Sequence, residues 1–144
     1  DINFESSYQT ASVLLPLLRE SKQSSILFIS SIAGKEAIGA PVDYSVAKAA
    51  LISLSKNMSR KLKGDVRVNV LAPGNIYFKG GSWDKKMNEN SELVTEMLEN
   101  SVPMARFGTV EEISDSATFL CSDRASFITG SVLVVDGGQT VGII

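Results

Sequence analysis

The sequence predicts an α/β fold built around a parallel sheet. Short apolar runs alternate with longer stretches in which apolar residues recur at helical spacing, and no repeat or low-complexity tract interrupts this order. Apolar runs without a polar face are typical of strands covered on both sides. Their alternation with helices favours parallel strands joined by right-handed crossovers.

The first half of the chain supplies two helices and two strands. A helix is predicted over 4–19, where five apolar or aromatic residues share one face, with a kink at Pro16. The apolar run 25–30 predicts a strand, and 43–61 predicts the second helix. A second buried strand is expected over 66–71.

The second half ends in one helix and one strand. Thr109 and Glu112 form the pattern of a capping box that opens a helix reaching about Cys121. Cys121 follows Phe119-Leu120 in this helical pattern, so we expect a buried and inert thiol. The last strand is predicted over 132–135. Between the halves, 75–101 mixes glycines with a charged run and contains a short helix predicted over 91–100.

Composition excludes several classes of function. Hydrophobic residues make up 44% of the 144 residues and the net charge is −2, which indicates a globular protein rather than a disordered or nucleic-acid-binding one. Histidine is absent and cysteine is single, so a zinc site, a histidine-based triad and an intrachain disulfide are all excluded. The apolar run 13–18 is too short to span a membrane. We therefore expect a cytoplasmic protein with no metal, nucleic-acid or membrane partner.

One cluster of residues points to proton transfer. Tyr44 and Lys48 are four positions apart and share one face of the predicted helix. A tyrosine titrates near ~10 in water, but a nearby ammonium lowers its pKa. Ser31 follows the strand predicted over 25–30, and ligands of open α/β sheets bind at such carboxyl ends. This placement would let Ser31 and Tyr44 converge on one substrate oxygen.

Taken singly, each residue also fits a structural role. Ser31 suits a turn, Tyr44 a helix-packing surface, Lys48 a solvated charge and Asn3 a helix N-cap. A tyrosine four positions before a lysine also occurs by chance in many chains of this composition. Only the spacing of all four residues taken together can therefore distinguish a catalytic from a structural role.

That joint spacing resembles the classical short-chain dehydrogenase/reductase family. In that family a serine precedes the active-site tyrosine by thirteen positions, as Ser31 precedes Tyr44 here. Lys48 follows at the family distance, and Asn3 in Asp1-Ile2-Asn3 matches an asparagine on the preceding helix.

The resemblance covers essentially the whole chain. The stretch 67–76, with its Pro73-Gly74 turn, resembles the last-but-one strand of the family and the turn that contacts the nicotinamide. Segments 103–113 and 128–138 resemble the closing part of the family's domain. The implied fold is the C-terminal half of a doubly wound, Rossmann-like parallel sheet with about three strands.

The resemblance implies an oxidoreductase that transfers a hydride between NAD or NADP and a small carbonyl or alcohol substrate. Tyr44 would be the general acid/base, and Lys48 would lower its pKa and hold the nicotinamide ribose. Ser31 would hydrogen-bond the substrate oxygen, and Asn3 would connect Lys48 to solvent through a water. Cofactor-binding residues implied in addition to Tyr44 and Lys48 are Pro73, Gly74 and the backbone of Ile76.

In the family, the position of 75–101 holds a mobile substrate lid. Phe78 stands where a threonine often contacts the cofactor, so this one contact departs from the family pattern. Phe78 and Trp83 could instead form an apolar wall for a substrate. A solvated surface insertion is the alternative for this segment, because charged runs usually face water.

The nucleotide-binding half of the family has no counterpart in the sequence. The glycines never form the phosphate-binding Thr-Gly-x-x-x-Gly-x-Gly pattern, and NAD versus NADP preference depends on residues of that half. We expect residues 1–144 to be a single partial domain, the catalytic and substrate half of a larger protein, inactive alone. The alternative is a non-catalytic association module. A homo-oligomer built on the helices that begin near Asn3 and Val42 is also expected.

Overall fold

The structure, a computed structural model that describes residues 2–143, confirms the predicted fold class. Five α-helices flank a three-stranded sheet within these residues. In chain order the elements are α1 Glu5–Glu20, β1 Ser24–Ile29, α2 Val42–Leu62, β2 Val66–Pro73, α3 Ser82–Glu89, α4 Ser91–Ser101, α5 Val110–Cys121 and β3 Val132–Val135. Single turns of 3₁₀ helix follow β1 and α5, at Ile32–Gly34 and Asp123–Ala125.

All three strands are parallel, in the order β1-β2-β3. The central strand β2 is covered on both faces, and Val66, Val68, Val70, Leu71 and Ala72 have no exposed surface. This burial explains why β2 is an uninterrupted apolar run apart from Arg67 and Asn69.

Those two polar residues fasten the connection between α5 and β3 to the central strand. The Arg67 guanidinium donates to the carbonyls of Leu120 at 2.8 Å and Ser122 at 3.1 Å, at the carboxyl end of α5. The buried Asn69 amide donates to the Ile128 carbonyl at 2.9 Å and accepts from the Ser131 amide at 3.1 Å. A buried amide is tolerated because its polar atoms are paired, and these bonds fix where β3 begins.

The outer edge of β1 faces a groove rather than a fourth strand within residues 2–143. This groove has a volume of about 490 Å³ and is walled by α1 residues from Ser6 to Leu18 and by 25–29 of the strand. Its lining is largely apolar, and Ile29 is 46% exposed. Within these residues β1 therefore presents an unpaired strand edge beside an apolar groove.

One helix was not predicted, and one expectation was wrong. The segment before 91–100 contains helix α3, for which the glycines and the charged run of this segment gave no signal. Cys121 is exposed rather than buried. Its neighbour Leu120 is the residue of α5 that turns to the core, at 3% exposure, and the next position points about 100° away from it.

The remaining elements begin or end within a few residues of their predicted positions. β3 has the predicted bounds, and Thr109 and Glu112 form the predicted capping box at the start of α5. The cap position of α1 is Phe4, whose side chain makes no capping bond, so the alternative role of Asn3 as N-cap is not observed. None of the helices within residues 2–143 combines the length and apolar character needed to cross a membrane.

Candidate active site

The predicted site lies at the carboxyl ends of β1 and β2. The two ends are side by side, because Ile29 pairs with Leu71 and the Ser30 amide donates to the Leu71 carbonyl at 2.8 Å. Ser31 therefore leaves the sheet beside the strand that continues into Pro73. This is the edge at which parallel α/β sheets bind ligands.

The structure brings Tyr44 and Lys48 together, as their spacing predicts. Both lie on the first turns of α2, and the Lys48 Nζ atom is 5.5 Å from the centre of the Tyr44 ring. Lys48 Nζ also donates to the carbonyl of Ile29 at 3.0 Å, which places the ammonium at the end of β1. Burial of Lys48 lowers its pKa from the ordinary value. The ammonium retains donors for further acceptors in this space.

The turn that carries Ser31 is fixed to the same turn of α2. The Ser30 hydroxyl donates to the Lys48 carbonyl at 2.8 Å. A Cβ atom on Gly34 would lie only 2.6 Å from the carbonyl carbon of Lys48, so the backbones approach more closely than any other residue would allow. Ser31 is thereby held next to the helix that carries Tyr44 and Lys48.

Ser31 also has the structural role that a turn serine suggests. Its Oγ atom accepts from the Ala33 amide at 3.2 Å and caps the 3₁₀ turn. This bond occupies one lone pair, and the hydroxyl proton can still be donated to a ligand. The structural and the functional interpretation of Ser31 are therefore compatible.

The Pro73–Ile76 turn has the backbone groups that a carboxamide would need. The Gly108 amide donates to the Asn75 carbonyl at 2.9 Å, and the Tyr77 amide donates to the Gly108 carbonyl at 3.0 Å. In this parallel bridge Ile76 lies between the two bonds, so its own N–H and C=O point away from Gly108. One donor and one acceptor on the same residue suit the carboxamide of a nicotinamide.

Gly74 lets this turn lie close against the end of β3. Its amide donates to the Val135 carbonyl at 2.9 Å. An added Cβ would come within 2.6 Å of the Asp136 Cβ and 2.8 Å of its Cα. Together with the Ile76 backbone and Lys48, this turn fits the nicotinamide end of the cofactor that the sequence implies.

The other predicted residues are Asn3, Phe78 and Trp83. Asn3 is exposed in the turn that leads into α1. Phe78 is 52% exposed, and its ring lies against Gly81, where an added Cβ would meet it at 2.8 Å. Trp83 is half-buried and packs on Phe107, with ring centres 5.3 Å apart. Trp83 thus belongs to the packing of its own segment, whereas Phe78 presents a free face.

Segment 75–101 forms a small apolar core together with Val102 and Phe107, which follow it in the chain. Val94, Leu98 and Val102 are buried in this core, and Trp83, Met87, Met97 and Phe107 pack around them. Its first turn is closed by Asp84, which accepts from the Tyr77 hydroxyl at 2.5 Å and from the Gly80 amide at 2.8 Å. These bonds lower the pKa of Asp84, and the bond to Asp84 raises the pKa of Tyr77. The segment is a folded unit rather than an extended surface loop.

Sequence patterns did not identify Glu36, Asp84, Asp136 or Gln139 as residues that shape the site. Each makes its contacts through backbone groups or across a long stretch of chain. Asp136 precedes Gly137-Gly138, and an acidic residue before two glycines is a turn signal that could have drawn attention to it. Glu36 is preceded by no comparable signal.

Comparison with known proteins gives consistent matches. A family model described as Enoyl-(Acyl carrier protein) reductase matches residues 1–140. The 3-oxoacyl-(acyl-carrier-protein) reductase FabG of Chlamydia trachomatis is 39% identical over 138 residues, which cover 95% of this chain and 53% of the relative.

Solved structures agree. An oxidoreductase of the short-chain dehydrogenase/reductase family from Burkholderia thailandensis superposes with a TM-score of 0.85 at 35% identity, over 95% of this chain and 53% of that one. A 4-hydroxyisoleucine dehydrogenase complexed with NADH gives 0.88 at 30% identity, over 99% and 58%. The chain thus spans about half the length of the relatives it matches.

Proposed function

Because the chain belongs to the short-chain dehydrogenase/reductase family, we propose that the full-length protein is a nicotinamide-dependent oxidoreductase acting on a carbonyl or alcohol substrate. Residues 1–144 would form the catalytic and substrate half of its domain. The observation that carries the proposal is the placement of Lys48 Nζ between the Tyr44 ring and the end of β1. The turn of Ile76 lies at the adjacent strand end.

The chemistry proposed for the residues of this chain is proton transfer to and from the substrate oxygen. The cofactor, NAD or NADP, supplies or accepts the hydride at the substrate carbon. In the reducing direction Ser31 donates a hydrogen bond to the carbonyl oxygen, and Tyr44 gives that oxygen its proton. The Lys48 ammonium stabilises the phenolate that remains on Tyr44. A water held by Asn3 and Lys48 would return the proton to Tyr44, and oxidation of an alcohol reverses these steps.

The proposed cofactor and substrate contacts are those that the family resemblance implies. Lys48 would also hold the nicotinamide ribose, while Pro73, Gly74 and the Ile76 backbone orient the carboxamide. Segment 75–101 would act as the substrate lid. Phe78 would offer its exposed ring to the substrate, and Trp83 would complete the wall from within the lid core. A small substrate with an apolar part fits this lining best.

A homo-oligomer remains part of the proposal. On α2, Val42 is 78% exposed and Val46 is 62% exposed, so the helix carries apolar surface outside the core of the chain. Closed symmetric assembly is the usual way to cover such a face.

The decisive experiment replaces Tyr44 in the full-length protein. Tyr44→Phe should lower kcat by about 10²–10⁴-fold with little change in NADH or NADPH affinity, because it removes the transferable proton and little binding surface. Lys48→Ala should weaken cofactor binding as well. Steady-state kinetics on a panel of ketones and alcohols, with calorimetric titration of both cofactors, measures the two effects.

Tyr8→Phe, a change of the same kind at an exposed position of α1, serves as the matched control. Turnover of Tyr44→Phe near that of the control would remove Tyr44 from the mechanism. Absence of turnover in the unmodified full-length protein would instead favour the non-catalytic association module.

A further inference from the structure

Residues 136–142 follow β3, and we call them the strap. The first residue of the strap, Asp136, hydrogen-bonds the backbone of the residues that follow it. The Asp136 carboxylate accepts from the Gly138 amide at 2.9 Å and from the Thr140 amide at 2.7 Å. Partial burial raises the pKa of Asp136, but the hydrogen bonds from the strap outweigh it and leave the pKa below its ordinary value. The strap therefore starts as a tight turn around a carboxylate, with positive φ at Gly137 and Gly138.

The far end of the strap is held by a second carboxylate from a distant part of the chain. Glu36 accepts from the Gly142 amide at 2.6 Å through Oε1 and from the Val141 amide at 3.2 Å through Oε2. Two consecutive amides on one carboxylate are a charge-assisted, two-point contact. Glu36 lies in the loop that joins Ser31 to Tyr44, so the strap is tied to the loop between the two proposed catalytic residues.

Between its ends the strap contacts the other parts of the site. The Gly137 carbonyl accepts from the Met104 amide at 3.1 Å, and Gly138 lies against Pro103, just beyond the end of α4. The Gln139 Oε1 atom is buried and has no hydrogen-bond partner among the described residues. It lies 3.3 Å from the position that a Cβ on Gly74 would occupy.

We propose that the strap couples the nicotinamide turn, the base of the lid and the Ser31–Tyr44 loop, and that Glu36 is the positioning residue that latches it. The inference rests on the proposed function, because it assigns the strap to the same site. Glu36 touches neither the reacting atoms nor the proposed nicotinamide contacts. Its effect is exerted through the loop that it anchors.

The expected consequence of losing the latch is a less ordered substrate side. Ser30 and Gly34 keep Ser31 on α2 through contacts that do not involve Glu36. The part of the loop released is therefore 35–40. A substrate must then select the ordered state of this loop from a broader population, which weakens apparent binding by the fraction of time that the loop is ordered. Loss of about one net hydrogen bond lowers the ratio of ordered to disordered loop roughly fivefold, and this is the largest effect expected on apparent binding.

The test compares Glu36→Ala, Glu36→Gln and Glu20→Gln in the full-length protein. Glu20 is an exposed carboxylate at the end of α1, four residues before β1 begins at Ser24, and it controls for the loss of one charge. Hydrogen exchange measured by mass spectrometry follows peptides that cover 32–40 and 139–143. Kinetics under saturating cofactor separates KM from kcat, and calorimetry gives the Kd of NADH.

Faster exchange in both peptides is expected for Glu36→Ala, with substrate KM raised by up to about fivefold and with kcat and the Kd of NADH nearly unchanged. Glu36→Gln should lie between Glu36→Ala and the control, because its amide oxygen retains one acceptor. Unchanged exchange at either peptide would overturn the coupling. Faster exchange with an unaltered KM would overturn the positioning role.

The exchange measurement does not depend on turnover. If the unmodified full-length protein shows no turnover, the proposed function fails. The coupling is then still decided by whether Glu36→Ala speeds exchange in both peptides.

Discussion

At the scale of single residues, the geometry of the site depends on two glycines, because a β-carbon at either position would clash with a neighbouring element. Gly34 and Gly74 let two backbones touch, one against Lys48 of α2 and the other against Asp136 at the end of β3. Neither position has a φ that only glycine favours, so close approach alone explains these glycines. The contact of Gly34 holds the proposed catalytic residue Ser31 next to α2, and the contact of Gly74 holds the proposed nicotinamide turn against the end of β3; a β-carbon would prevent either contact.

Gly34→Ala in the full-length protein is expected to destabilise the fold and to impair turnover together. The new methyl group would meet the Lys48 carbonyl carbon at 2.6 Å and the Ala49 amide nitrogen at 2.8 Å, and backbone atoms cannot rotate away as a side chain does. Overpacking of this kind costs about 1–3 kcal/mol. Denaturant unfolding measures the loss, and kcat reports the displacement of Ser31 from α2.

Ala37→Ser, which adds one atom at an exposed position of the same loop, is the control. A Gly34→Ala protein as stable and as active as this control would show that the two backbones separate without cost.

At the scale of elements, the start of α5 is the most completely satisfied helix terminus among the described residues. Thr109 and Glu112 exchange the two bonds of a capping box. The two terminal nitrogens of the Arg106 guanidinium donate to the Glu112 carboxylate, one to Oε2 at 2.9 Å and the other to Oε1 at 2.6 Å. The bonds from Arg106, followed by the Thr109 amide, lower the pKa of Glu112 to about 2. The carboxylate also lies at the helix end that favours negative charge.

This arrangement predicts an acid-dependent contribution to stability. The folded pKa of Glu112, about 2, lies below the ordinary value of 4.5, so the unfolded chain binds more protons between these values. The contribution is fully present above about pH 4.5 and is lost as the pH falls towards 2. Arg106→Gln removes the main cause of the shift, so its melting temperature should lie below that of the unmodified protein near neutral pH, and the gap should narrow in acid.

Thermal melting monitored by circular dichroism from about pH 7 down to about pH 3 checks this through the window of the shift. Glu111→Gln, one position earlier on the same turn, controls for the loss of charge at the helix end. If the difference in melting temperature between Arg106→Gln and the unmodified protein stayed constant across this range, the ion pair with Arg106 would not be the cause of the lowered pKa of Glu112.

At the scale of the whole molecule, the open edge of β1 is the most consequential feature. One side of β1 pairs with β2, and the other side forms the groove of about 490 Å³ beneath α1. Unpaired strand edges with apolar side chains promote pairing with other chains. The phosphate-binding glycine loop that anchors a dinucleotide in this family is also not among these residues.

The 144-residue chain on its own is therefore expected to bind NADH and NADPH only weakly, to show no turnover and to associate through β1. The residues proposed to hold the nicotinamide are present, but the glycine-rich anion site that supplies much of the cofactor's positioning in the family is not among residues 1–144. Calorimetric titration of both cofactors into a mass-verified sample measures binding, and far-UV circular dichroism confirms folding.

Light scattering on the same sample reports association. Leu27→Lys, on β1, should reduce it, because charged residues protect strand edges. Micromolar cofactor binding by a folded monomer would require a cofactor site that works without a phosphate loop.

The sequence by itself determined the order of the elements apart from helix α3, and it determined the pairing of Tyr44 with Lys48. Both depend on short-range periodicity, because residues four apart share a helix face and buried strands are continuously apolar. The capping box at Thr109 was readable for the same reason: its two partners are three positions apart.

Only the tertiary structure decided the rest. Helix α3 is held by Trp83 and Met87, which pack on the apolar cluster of Val94, Leu98 and Val102, while its own sequence is dominated by charge. Cys121 is exposed because the rotation of α5 on the sheet directs Leu120 inwards. The bond from Glu36 to Gly142 spans 106 positions and ends on a backbone amide. Every residue except proline has such an amide, so no pattern of side chains in the sequence predicts that contact.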